Sequence, residues 1–563
     1  MKYFLLTLVF LLPLLSRNGM SQDLEPLELR NALNAANREL GQIQSNGMCP
    51  GVHLTLTCGN KTCEQHENGI NCPADCIKGE IRSYNHQTIC NKVKSIWRPS
   101  QSLEISEAIM YARQMNQKVR VVGKLHSANG QLCSTGIVIT TENLNQIHGL
   151  EMFQGEETVL VDGGVTLGEL SQWLDTKNKS LGYTLIGFRG VSVAGSTATG
   201  SHGSSPKHNS VLANLIRSMT VVTADGLIQE FHEKNTPAQK WKALKTNLGM
   251  LGVVSNVRLK VIPQFNLHVA VEYKEEKDLF KANGLTKEME KCDWGQVNWF
   301  PGSHKFVKIC GKESNLPAEP GATNTLLQPD IPDFIVKPFK AVMQLGACSK
   351  KLNCLVENAR YQQFKWQPYF KKLNAQGKLV SSNNVVGPSH MMTSSNFTDR
   401  ADGFFQMDWE IAVPASKIHQ AMQAVYEHTK KYKICLPLVG VFIRFSRVSG
   451  DTLIAHSSVG EEFKEGELVT FIEMPIYLPT GFPQARRQEY DFAYEEFARI
   501  LVGQFGGRAH WAKNRNWIFK WQRNLGRMND KLKAFQRVMQ EMDPEGLFAN
   551  QYAQDLGLRD SSW

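Results

Sequence analysis

The stretch VVGKLHSANGQLCSTG, Val121–Gly136, decides the fold. β-favouring residues lead into it through KVRVV (Lys118–Val122) and out of it through IVIT (Ile137–Thr140), with glycines at 123, 130 and 136 between. Strand, glycine, loop and strand in that order bring backbone amides against whatever occupies the loop. His126 and Ser127 stand inside it. A histidine fixed against a bound group is a candidate attachment point or ligand. A histidine in an ordinary hairpin is the competing reading.

Two more stretches bear on the choice. RGVSVAGSTATGSHGSS (Arg189–Ser205) sets Gly190, Gly195, Gly200 and Gly203 among serines and threonines. Little side-chain bulk and many free amides and hydroxyls suit a segment that lies along the pyrophosphate and ribityl chain of a nucleotide cofactor. GGRAHWAKNRNW (Gly506–Trp517) follows much later, with DPEGLF (Asp543–Phe548) behind it. The GxGxxG fingerprint with its distal acidic residue is missing, so a nicotinamide-dinucleotide fold is not supported. Walker A, HExxH and GxSxG motifs are missing as well.

Working outward, the chain has 563 residues, enough for two or more domains with large cores. Hydrophobic content of 42% and charged content of 21% fit a folded globular protein. The net charge of +10 is scattered, with no basic block, which speaks against nucleic-acid binding. At the N-terminus Lys2 precedes an apolar run, Tyr3–Leu15, too short to span a bilayer comfortably. It reads as a secretory signal over residues 1–21, with an uncleaved anchor as the rival. No later run has the length and apolarity of a membrane span, so the processed chain is expected to have no stable membrane insertion. A secreted or extracytoplasmic location follows.

Twelve cysteines agree with export. Six crowd together at Cys49, Cys58, Cys63, Cys72, Cys76 and Cys90 and read as a disulfide framework rather than a zinc site. Among the scattered six, Cys348 and Cys354 are near enough in sequence for a local bridge. No metal site is expected.

Residues 22–91 comprise a leader helix and the cysteine-rich segment; 92–263 alternate strands, glycine turns and helices. A helix with Ile105, Ala108, Ile109 and Ala112 on one face precedes KVRVV, and another is opened by Thr166. Residues 264–480 read as an α+β layer on a largely antiparallel sheet, with strand-like runs at Leu267–Tyr273, Phe404–Val413, Leu438–Phe445 and Leu468–Tyr477. Helical runs are expected at Asp278–Lys291 and Ala415–Lys430. Residues 481–563 return with a long helix, the HWAK stretch and a last helix near Asp530–Met542.

In order, GKLHSANG, GVSVAGSTATGSHGSS and AHWAKNRN resemble the three signatures of the aldonolactone oxidase family, the gulonolactone and galactonolactone oxidases or dehydrogenases among the vanillyl-alcohol-oxidase-type flavoproteins. The cysteine-rich leader and the ending HWAKNRN…YAQDLGL are most similar to the secreted plant-type gulonolactone oxidase branch. The resemblance covers about residues 50–560. It implies an α+β fold: a two-part FAD-binding domain, 92–263 plus the C-terminal return, with 264–480 as a cap. It also implies FAD bonded to His126, and a second loop without cysteine leaves a single histidyl bond. Cofactor contacts are then expected at Val122, Gly123, Lys124, Leu125, His126 and Ser127, at Gly195, Ser196, Gly200, His202 and Gly203, and at Val253.

The implied reaction removes a hydride from a CH–OH carbon of a sugar lactone or polyol to the flavin, with molecular oxygen as the acceptor or another acceptor in a dehydrogenase. Lys513 is the candidate cation beside flavin N1, and His510 the polar contact or proton acceptor. Spacing alone does not show that both face the ring. Arg444 matches the arginine of the family's ExR substrate clamp. The glutamate two residues before it is replaced by Phe442, and Glu473 on a neighbouring strand is the candidate substitute; a solvent-facing strand residue is the rival reading. A secreted, catalytically silent flavin-fold binding protein is the alternative of a different class.

Overall fold

In the computed structural model the described residues are 80–559, apart from 85–86, 186, 326–353, 355–356, 359, 363, 366–367, 395–403, 433–434, 436–439 and 480–483. The expected signal, leader helix and Cys58–Cys76 segment lie outside them.

The N-terminal part begins with a three-stranded parallel sheet in which Ile137–Thr140 lies between Ser95–Trp97 and Val119–Val122. Helix Ser102–Gln114 connects the two outer strands and buries Ile105, Ala108, Ile109 and Ala112, the spacing of one helical face. A five-stranded antiparallel sheet follows, ordered Ile228–His232, Ile216–Val222, Val253–Lys260, Glu156–Asp162 and Ile147–Phe153. Helix Leu167–Asp175 starts at Thr166 in a reciprocal capping box with Glu169, a device worth about 1 kcal/mol.

The second part is built on an eight-stranded sheet, antiparallel throughout. Its order is Asn384–Pro388, Asn266–Glu275, Lys305–Ser314, Trp294–Phe300, Val441–Arg447, Leu468–Glu473, Glu410–Pro414 and Arg508–Ala509. The last strand comes from the C-terminal return. That return also reaches the first part, where Val119 donates its backbone N–H to Leu547 O at 2.9 Å and Ala128 to Ala512 O at 2.7 Å. Among the described residues no helix is long and apolar enough to cross a membrane.

Several local expectations are corrected. Phe404–Val413 is two strands: Phe404–Met407 pairs with Ile476–Pro479 in a separate ribbon, and Glu410–Pro414 joins the large sheet. Leu468–Tyr477 divides at the same level, at Met474–Pro475. Pro475 has no N–H for the ladder, and the fully buried Trp409 occupies the break, its carbonyl taking the Met474 N–H at 2.8 Å. The helix expected at Asp278–Lys291 shrinks to Gly284–Met289, because Asn283 turns left-handed at φ 55°. The central strands Trp294–Phe300 and Lys305–Ser314 were not among the expected ones. Cys354 bonds Cys435, not Cys348, and Cys90 leaves the N-terminal crowd to bond Cys133. A third disulfide joins Cys292 and Cys310.

Candidate active site

One cavity, of about 290 Å³, runs between the two parts. The His126 loop forms part of its wall. A Cβ at Gly123 would fall 2.2 Å from Ser192 Oγ, so a side chain there would displace that hydroxyl. Leu125 holds a left-handed φ of 57°. The His126 ring lies between Tyr84, stacked at 4.1 Å with planes 17° apart, and Phe188, tilted at 4.3 Å. Asn129 ties this loop to the C-terminal return, donating to Trp511 O at 2.5 Å and Asn514 O at 3.1 Å.

Val122, Gly123, Lys124, Leu125, His126, Ser127, Gly195, Ser196 and His202 all line the cavity, as do Arg444, Glu473, His510 and Lys513. Three expected cofactor contacts are not on its wall. Gly200 closes the short helix Val193–Ala198 with φ +69°. Gly203 packs against backbone, where a Cβ would meet Tyr183 O at 2.1 Å. Val253 points into the core beneath helix Ser102–Gln114, while its neighbours Gly252 and Val254 line the cavity.

At one end of the cavity the side chains converge on Glu410, which was not among the expected site residues. Its carboxylate is fully buried. Oε2 accepts from Arg444 Nη2 at 2.7 Å and Lys513 Nζ at 2.9 Å. Oε1 lies 2.8 Å from His202 Nε2 and 3.4 Å from His456 Nε2. Glu473 completes the set, 2.6 Å from both Arg444 Nη2 and Lys513 Nζ. The strand register explains the convergence. Glu410 and Phe442 are the two cross-strand partners of Glu473, on opposite sides. The carboxylate missing at Phe442 is thus supplied from the directly opposed residue of the next strand, so Glu473 is not a solvent-facing strand residue.

His510 and Lys513 come to the same carboxylate through a turn rather than a helix or strand. Ala509 pairs with Ile411, His510 N–H donates to Glu410 O at 3.0 Å, and Asn514 Nδ2 donates to the same oxygen at 2.8 Å. His510 Nδ1 accepts the Ala512 N–H at 3.1 Å, which leaves the ring proton on Nε2. In this tautomer His510 is a hydrogen-bond donor, and its accepting nitrogen is already used.

Burial alone would push the Glu410 carboxyl up, but Lys513, His202, His510 and Arg444 together hold it well below the usual carboxylate range. Burial would lower Lys513; Glu410 and Glu473 reverse this and raise it. Arg444 is raised in the same way, by Glu473 and Glu410 against burial. Burial raises Glu473 above the ordinary carboxylate value, against the opposing pull of Lys513 and Arg444. Its 2.6 Å contacts, one oxygen to the guanidinium and the other to the ammonium, are nevertheless those of an ionised carboxylate. Burial drives His202 down to about 3, and lowers His456 and His510 too. Both His202 nitrogens nevertheless face acceptors at 2.8 Å, Nε2 the Glu410 carboxylate and Nδ1 the Gly203 carbonyl, the contacts of a ring that donates from both sides. Arg444 and Lys513 are the cations that each touch both carboxylates.

His202, Glu410 and His456 each offer one ligand atom, all within 4.8 Å of one another. A divalent ion there would face Lys513 and Arg444 on the same carboxylate, and like-charge repulsion in a buried site opposes it. The other end of the cavity suits an organic ligand. The Ser196 and Thr141 hydroxyls are buried on its wall without a hydrogen-bond partner among the described residues, an arrangement that costs about 1–3 kcal/mol for each group unless a ligand supplies the bond.

Comparison with known proteins identifies that ligand. The model of an FAD binding domain matches residues 93–232, and that of D-arabinono-1,4-lactone oxidase matches residues 257–556. The chain belongs to the D-arabinono-1,4-lactone oxidase family. It is 25% identical to L-gulonolactone oxidase of Bos taurus over 82% of this chain and 94% of that one. It is 23% identical to L-gulono-1,4-lactone dehydrogenase of Mycobacterium tuberculosis, over 81% and 94%. Among solved structures, cholesterol oxidase from B. sterolicum shares the fold, with a TM-score of 0.67 at 15% identity, covering 85% of this chain and 96% of that one. The protein is an FAD-dependent oxidoreductase acting on CH–OH donors. The cavity fits FAD: the unpartnered Ser196 and Thr141 hydroxyls and the side-chain-free Gly123 and Gly195 would hold it beside the His126 loop. When bound, FAD supplies the hydride acceptor.

Sequence reasoning missed Glu410, Thr141 and Tyr84, which line the cavity, and His456, which lies against Glu410. A signal for Glu410 was present: EIAVP is an otherwise apolar strand, and a charge inside such a strand is rarely buried unless paired. His456 sits in a loop with no comparable pattern.

Proposed function

We propose that the protein oxidises a hydroxyl-bearing carbon of a sugar lactone or related polyol, with FAD bonded through His126 and molecular oxygen as the acceptor. The observation that carries this reading is the shared wall: His126 and the Arg444–Glu473–Lys513 set line one cavity. Arg444 and Glu473 offer a donor and an acceptor side by side, the pair a vicinal diol or lactone hydroxyl needs for orientation. Lys513 places a fixed positive charge on the cavity wall, where it favours developing negative charge. His510, neutral and donating from Nε2, adds a polar contact. We place the protein outside the cytoplasm; the N-terminal apolar run and the three disulfides among the described residues support this.

The test has two parts. The purified protein is denatured in acid and run on a gel, and flavin fluorescence is sought on the band; His126→Ala should abolish it. The native protein is then mixed with gulonolactone, galactonolactone, xylitol and simple sugars while peroxide is followed. Bleaching of the flavin without peroxide would replace oxygen by another acceptor. A fluorescent band that no substrate bleaches would overturn the catalytic reading.

A further inference from the structure

The hairpin ahead of the His126 loop is a clasp on it. Ile81–Arg82 pairs antiparallel with Ile89–Cys90. From this hairpin, contacts reach the loop on both sides of the histidine. Tyr84 N–H donates to Leu125 O at 2.9 Å, and Thr88 Oγ1 donates to Ala128 O at 2.8 Å. Cys90 is bonded to Cys133, seven residues beyond His126. The Tyr84 ring lies flat on the imidazole at 4.1 Å, and its hydroxyl donates to Asp408 Oδ2 at 3.2 Å. Asp408 is the residue at the strand break just before Glu410, so the same tyrosine touches both walls of the cavity.

In a histidyl attachment an imidazole nitrogen would form a bond to the flavin's methyl carbon, the imidazole N–H and one methyl C–H bond would break, and the two protons and two electrons would pass to the flavin and on to molecular oxygen, the acceptor proposed above. The imidazole has two side-chain torsions and one productive orientation toward that carbon. Leaving that orientation to chance is costly for a step governed by approach geometry. The loop is also locally strained: Leu125, a branched residue next to His126, sits at φ 57°, a conformation that costs on the order of 1–3 kcal/mol unless its surroundings hold it. The hydrogen bond from Tyr84 falls on that residue's own carbonyl. We propose that Tyr84 is the positioning residue for flavin attachment at His126, and that the Cys90–Cys133 link keeps it in place. This rests on the reading that His126 carries the flavin.

The test uses the full-length chain and reads covalent flavin, not turnover. Wild type, Tyr84→Phe, Tyr84→Leu and the double variant Cys90→Ser/Cys133→Ser are purified. Total flavin is measured by absorbance and covalent flavin by fluorescence of the acid-denatured band, each per mole of protein. Tyr84→Phe keeps the stacked ring and should keep wild-type attachment. Tyr84→Leu, similar in apolarity but without the ring, should lose at least fivefold in the covalent fraction at an unchanged melting temperature. The cysteine double variant should lose at least twofold. Full labelling of Tyr84→Leu overturns the proposal. Equal loss in Tyr84→Phe and Tyr84→Leu also overturns it, since the ring stack would not then be the cause. Should Tyr84→Leu fail to fold, full labelling of the folded cysteine double variant overturns the clasp, and a loss there supports it. A wild-type band without fluorescence is a different failure, because it removes the histidyl attachment and this inference with it.

Discussion

Glu410 and Glu473 stand opposite each other on adjacent antiparallel strands and share one ammonium: Lys513 Nζ lies 2.9 Å from Glu410 and 2.6 Å from Glu473. Two carboxylates so close repel unless cations lie between them, and Arg444 and Lys513 do. Removing Glu410 leaves two buried cations with one partner. Glu410→Gln should therefore cost about 3–5 kcal/mol of stability, the usual loss when one member of a buried ion pair is deleted. Denaturant unfolding of the FAD-loaded protein measures it. A loss under about 1 kcal/mol, as for a surface pair, would show that the cluster is more hydrated than its burial implies.

The opposition of Phe442 and Glu473 makes the second prediction. Glu473→Phe alone should abolish turnover, because Arg444 loses its cavity-side carboxylate. Adding Phe442→Glu returns a carboxylate to the opposed position and should restore at least about tenfold of the lost kcat/KM, equivalent to roughly 1.4 kcal/mol. Strictly additive losses in this double-mutant cycle would deny that the two positions exchange a role.

Lys513→Met removes the charge while keeping the length of the side chain. Turnover should fall at least about tenfold, toward the 100-fold typical of a lost transition-state donor, with the flavin still on the band. Unchanged turnover would take Lys513 out of the chemistry.

The pH prediction concerns His510. Burial holds its ring well below the ordinary 6.5, and the Ala512 N–H bond requires a lone pair on Nδ1. The folded state therefore disfavours a proton that the unfolded chain binds below 6.5. This contribution to stability is complete above that pH and is lost as pH falls toward the folded value. Replacing the ring by His510→Asn should flatten stability against pH between about 6.5 and 5, measured by denaturant midpoints; an unchanged slope would assign the acid loss to other groups.

The sequence was most legible where local chemistry sets the backbone. The face of Ser102–Gln114, the Thr166 cap and the glycines of the His126 loop follow from spacing, a hydroxyl and crowding, which neighbours in sequence control. The breaks at Trp409 and Pro475 were not legible. Each interrupts a run of good strand residues, and the break coincides with a fully buried tryptophan whose carbonyl takes the Met474 N–H. Trp294–Phe300 escaped notice because it is buried on both faces, so Gln296 and Asn298 interrupt its apolar pattern inside the core rather than alternating toward solvent. Lys513, His510 and Arg444 could be named from motifs, but their common partner lies about a hundred residues from the lysine and is set by sheet order alone.

The two-residue strand Arg508–Ala509 is the edge of a sheet whose other seven strands come earlier in the chain. In the order of synthesis Glu410 and those seven strands precede Lys513. Until residue 513 arrives the two carboxylates lack the ammonium they share, so a nascent or prematurely terminated polypeptide would hold an incomplete cluster.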